Sequence, residues 1–136
     1  NTRPVFHQSK IKDKFIIAEG LEDCLSVKEM GISNNFISLN STSNVRKLID
    51  TIDYCSKFYK NNSFEICLDQ DKAGEDATRL IYDTFKEKGL DISISEYSGI
   101  MKELNINDLN DLLIKEYIDP VDRLMDWSKG SKEMER

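Results

Sequence analysis

The chain has 136 residues, 39% of them hydrophobic, which suits a single domain with one core. No apolar run approaches the roughly 20 residues of a membrane helix, and no signal-peptide pattern is present. Twenty-five acidic against nineteen basic residues give a net charge of −6, which argues against a module that grips duplex DNA by charge alone.

The chain opens at Asn1 rather than Met, and both ends are polar. The expectation is a domain of a larger protein, with a polar N-terminal arm over 1–13, a core domain over 14–117 and a helical extension over 118–136. His7 lies in the polar arm and reads as a solvated surface residue. "KFIIA" (Lys14 to Ala18) is a short apolar run, as in a buried parallel strand. "LEDCLSVKEMG" reads as a helix stopped at Gly31. "NFISL" (Asn35 to Leu39) is a second strand, and "STSN" offers N-cap residues for a helix with Val45, Leu48, Ile49 and Ile52 on one stripe.

"FEICL" (Phe64 to Leu68) is a third strand and runs into Asp69-Gln70-Asp71. Ala77, Leu80, Ile81, Thr84 and Phe85 mark the apolar stripe of a helix ending at Gly89. "DISISEY" (Asp91 to Tyr97) alternates as a fourth strand. "INDLNDLLIKEYI" begins a helix, and Pro120 sits in the first turn of another. Four alternations of strand and helix predict an α/β fold: a four-stranded parallel sheet with helices on both faces and right-handed crossovers. Cys24, Cys55 and Cys67 form no CxxC pair and lie in apolar patterns, as free thiols of a reducing cytoplasm do.

Ligands of such sheets bind beyond the carboxyl ends of the strands. Glu19 follows the first strand, with Glu22 and Asp23 just beyond. Asp69 and Asp71 follow the third, and Asn107-Asp108-Leu109-Asn110-Asp111 comes after the fourth. Taken singly, Glu22, Asp23, Glu75 and Asp76 suit helix N-termini, and Asp108 suits an N-cap. Capping alone, however, needs only one of Asp69 and Asp71. Like charges so close raise each other's pKa, and a divalent cation would offset the cost. Clustered carboxylates select hard cations, Mg²⁺ or Mn²⁺. Lys72 and Arg79 are candidates for phosphate contact, although a solvated helix face equally accounts for them.

"FIIAEGLEDCLS", "CLDQDKAGEDATR" and "NDLNDLL" together resemble the three signature regions of the toprim domain, over roughly Lys14 to Tyr117. That domain is shared by bacterial primases, type IA and type II topoisomerases, certain nucleases and recombination mediators. The resemblance implies a Rossmann-like toprim fold, with Glu19 in place of the invariant glutamate and Asp69 and Asp71 as the paired aspartates. All three would be catalytic, and Asp23 and Asp108 would join them in holding Mg²⁺ or Mn²⁺. "NDLND" is closest to the late acidic motif of the primase-like branch. Asn107 replaces its usual lysine, and "LNSTSN" replaces its Gly-Thr step, closer to toprims of plasmids and conjugative elements. The implied function is magnesium-dependent nucleotidyl transfer by a cytoplasmic primase-like protein of replication or a mobile element. Nucleotides and DNA would be its partners, with DNA gripped by other domains of the parent. The alternatives are a toprim nuclease, a topoisomerase-type nicking enzyme and a non-catalytic assembly module. The tyrosines fall mostly in helix or strand patterns, which counts against a nucleophilic tyrosine. The isolated domain is expected to bind single-stranded DNA little or not at all and to make no primers.

Overall fold

The computed structural model describes residues 3–9 and 14–115. Five strands form one sheet in the order β1-β3-β2-β4-β5. These are β1 (Val5–Gln8), β2 (Phe15–Ala18), β3 (Asn35–Ser38), β4 (Ser63–Ile66) and β5 (Asp91–Ile94). The pairs β2–β3, β2–β4 and β4–β5 are parallel, as the alternation of elements requires. The polar arm supplies a fifth strand: β1 runs antiparallel to β3, with His7 opposite Phe36. His7 is not a solvated residue. Its ring stacks on Phe36 at 4.9 Å, and its Nε2 is buried without a hydrogen-bond partner among the described residues.

Alternation along β2 divides the core. Phe15 and Ile17 face α2 (Val45–Tyr54), α3 (Ser56–Tyr59) and α4 (Lys72–Glu87). Ile16 and Ala18 face α1 (Leu21–Glu29), α5 (Glu96–Leu104) and the helical segment 109–115. The α2 stripe buries Val45, Leu48, Ile49 and Ile52, as its spacing predicts. On α4 the buried apolar residues are Ala77, Ile81 and Phe85, whereas Leu80 is 42% exposed and Thr84 half-buried, so the stripe is narrower than the sequence suggests. Past the C-terminus of α1, Gly31 takes a φ of +73°, which lets the chain leave the helix without a Cβ clash.

The fourth strand ends at Ile94, not Tyr97. Ser95 caps α5 by accepting the Tyr97 amide, so the residues from Glu96 form a helix that the alternation of "DISISEY" conceals. The helix expected from Pro120 lies outside the described residues. No helix among the described residues is long and apolar enough to cross a membrane.

Candidate metal centre

Three loops meet at the carboxyl end of the sheet. Because β2 and β4 are parallel neighbours, the residues after Ala18 and after Ile66 emerge side by side. Glu19 Oε1 accepts the Asp69 amide at 3.3 Å, joining the two strand ends. The third loop is fastened by the Gln70 amide, which donates to the Asn107 carbonyl at 2.8 Å. As a result, one carboxylate oxygen each from Asp23, Asp69 and Asp108 lie within 4.8 Å of one another. They are 85 residues apart in sequence at the extremes (108 minus 23) and converge only through the fold.

Most of the acids are also held by backbone N–H groups. Asp23, in the first turn of α1, accepts the Gly20 amide at 3.3 Å and the Asn110 amide at 3.0 Å, and is 7% exposed. Asp108 accepts the Asp111 amide at 2.8 Å at the start of the helical segment 109–115. Asp71 caps α4 by accepting the Gly74 amide at 2.7 Å. The Asp69 carboxylate accepts no hydrogen bond among the described residues, although it lies half-buried at the centre. Gly74 is what allows this approach: a Cβ there would stand 2.0 Å from the Asp69 carbonyl oxygen.

Burial is the largest cause pushing the Asp69 carboxyl up to about 7, followed by the charges of Glu19, Asp23, Asp108 and Asp71. Burial also raises Glu19, against the Asp69 amide that lowers it, and raises Asp23, against the Asn110 and Gly20 amides. A buried carboxylate without N–H donors is costly unless it takes a proton or a cation.

A family model described as Toprim-like matches residues 16–113, which is most of the chain and includes every acid above. The chain belongs to the Toprim-like family. A DNA primase of Clostridium acetobutylicum is similar to this toprim domain, 37% identical over 89 residues. The match covers 64% of this chain but only 14% of that primase. A solved structure of a protein from Aquifex aeolicus aligns with a TM-score of 0.54 at 18% identity, over 72% of this chain and 83% of that one. This last likeness concerns the fold alone. The toprim resemblance is therefore of the primase-like kind.

In this toprim domain the sequence-predicted acids divide. Asp23, Asp69 and Asp108 come together, Glu19 lies against Asp69 through its amide, and Asp71 stands at the exposed rim as a helix cap. Lys72 is exposed and pairs with Asp76 at 3.2 Å. Arg79 lines a groove of about 660 Å³ that runs from Asp69 between α4 and α5, with Lys102 also in its lining. Lys102, in the groove lining, carried no sequence signal; Gly74 and Asn110 lie within the quoted motifs, but the close approach of the first to Asp69 and the backbone donor of the second to Asp23 were not legible there. Asn110 acts through its backbone amide, which side-chain identity does not reveal.

Proposed function

We propose that this is the catalytic toprim domain of a cytoplasmic primase-like protein, supporting metal-dependent nucleotidyl transfer to a nucleic-acid 3′-end. The observation that carries the reading is Asp69: half-buried, beside other carboxylates and with no donor directed at it among the described residues. The donor set is all oxygen and closely spaced, which fits Mg²⁺ or Mn²⁺. Asp23, Asp69 and Asp108 would hold the ion, and Asp71 at the rim would share an ion with the substrate. Bound there, the cation supplies charge neutralisation and Lewis-acid stabilisation of phosphoryl oxygens. Glu19 Oε1 is engaged by the Asp69 amide, so Oε2 is the atom left to ligate or to hold a proton. Arg79, and Lys72 at the start of the same helix, would meet phosphates.

The test has two parts. Mg²⁺ or Mn²⁺ should raise the melting temperature of the 136-residue chain, and Asp69→Asn should abolish the rise. In the full-length parent, the same substitution should abolish template-dependent nucleotide incorporation. A parent that cleaves strands instead of extending them would favour the nuclease reading. A chain whose stability ignores both cations would remove the metal site.

A further inference from the structure

Opposite the carboxylates, before the starts of β4 and β5, lies a second surface of different chemistry. A concavity of about 470 Å³ is lined by Ile52, Asp53, Lys57, Lys60, Lys88 and Leu90, with Gly89. Three lysines thus face one acid, in a chain whose net charge is −6. Asp53 pairs with Lys88. Lys57 and Lys60 are exposed and make no ion pair among the described residues.

The same stretch of chain carries two bare aromatic rings. Tyr54, the last residue of α2, is 92% exposed, and Phe58 in α3 is 68% exposed. Phe58 is steadied by an edge contact to Tyr59 at 4.9 Å, and Tyr59 is anchored on Phe15 and Phe64. Packing accounts for Tyr59. It does not account for Tyr54, whose ring leaves almost all of its area in water. Exposed rings interleaved with unpaired cations suit a ligand that alternates flat faces with negative charge. Acidic side chains would satisfy the lysines yet bring no flat face to the rings. An apolar protein surface would cover the rings but leave the lysines without counter-charge.

We propose that this surface is a second, weak binding site for single-stranded nucleic acid. Bases stack on Tyr54 and Phe58, which lie outside the concavity's lining on the same stretch of chain, and Lys57 and Lys60 meet the phosphates. The site is independent of the carboxylate centre and would hold a strand away from it. With only two unpaired cations against the overall charge, its dissociation constant is on the order of 10⁻⁴ M at low salt.

The experiment is fluorescence anisotropy of a labelled short oligothymidylate with the 136-residue chain, in EDTA so that no cation bridges DNA to the carboxylates. Phe58→Ala and Tyr54→Ala should each weaken binding roughly five- to 150-fold. Lys57→Gln with Lys60→Gln should lower the slope of log affinity against log salt by about 1.4. Lys28→Gln, on the exposed face of α1, should change neither. Circular dichroism checks that the variants stay folded, and the lysine pair stands alone if the aromatic pair does not. Absence of binding at low salt, indifference to both pairs, or inorganic polyphosphate competing as well as the oligonucleotide would overturn the proposal.

Discussion

The turn between β4 and α4 has a buried half and an exposed half, and the two place the same side chain in opposite circumstances. Asp71, on the exposed half, points its carboxylate at the Gly74 amide and starts a helix. Asp69, on the buried half, receives no donor among the described residues and lies with Asp23 and Asp108. Two aspartates one residue apart therefore divide two tasks. The strain in the region comes chiefly from burying Asp69, and Asp71 is the smallest of the charges that act on it. Local charge repulsion along the chain is a poor guide here, because the acids that crowd Asp69 arrive from other loops.

Gly74→Ala should have the largest effect and would break this arrangement. Alanine normally favours a helix by about 1 kcal/mol over glycine. Here its Cβ would meet the Asp69 carbonyl at 2.0 Å, so α4 or the turn must move. A loss of about 3 kcal/mol or more in urea unfolding is expected, as for an overpacked site, together with loss of the metal-induced rise in melting temperature. A neutral or stabilising Gly74→Ala would mean that the position of Asp69 does not depend on α4.

Asp69→Asn should come next, with the opposite sign. The folded state holds the Asp69 proton more tightly than the unfolded chain, because the carboxyl is raised to about 7. That contribution is complete below the unfolded value and is lost as pH climbs from about 4 through about 7. Metal-free protein should therefore melt higher at mildly acidic pH than at pH 8. Asp69→Asn should flatten this dependence. At pH 8 it should stabilise the metal-free chain by about 2 kcal/mol, solvent screening of a half-exposed site being allowed for. A melting temperature that rises with pH across this window would contradict the assignment.

Asp71→Ala should remove a helix cap, costing about 1 kcal/mol, whereas Asp71→Asn should keep the cap and cost little. The asparagine variant sharpens the comparison, since it isolates any role in metal binding. Its metal response should be weakened but still present. Complete loss, as with Asp69→Asn, would make the two halves of the turn equal partners. Lys72→Ala should matter least, because its pair with Asp76 is exposed, and thermal melting should register at most about 0.3–0.5 kcal/mol.

Much of the frame was legible in the sequence. Short apolar runs gave the four parallel strands, whereas their order in the sheet, which makes β2 and β4 neighbours, is set by packing that no local pattern records. Parallel strands put their carboxyl ends, and so Glu19, Asp69 and Asp71, at one edge of the sheet; that Glu19 touches the Asp69 amide was not legible. The hidden parts had weak local signals. The β1 residues "VFHQ" are an edge strand whose pairing comes from β3, not from apolar content. The α5 helix buries Met101 alone among its residues and holds Gly99, so neither its stripe nor its propensity rose above the strand-like alternation before it. Which aspartate turns inward could not be read at all. It depends on the depth at which α4 meets the turn, and that depth is set by a missing Cβ at Gly74.

The three thiols have unequal chemistry. Cys24 and Cys67 are buried, and burial pushes both up to about 12, so at neutral pH they stay protonated and inert to maleimides and mild oxidants. Cys55 is only partly buried and sits at the α2–α3 junction, next to Tyr54 and two residues from Lys57. Among the three cysteines it is therefore the natural attachment point for a fluorophore. The unmodified sequence carries its own labelling handle on the basic, aromatic end of the sheet, far from the carboxylates and without any engineered residue.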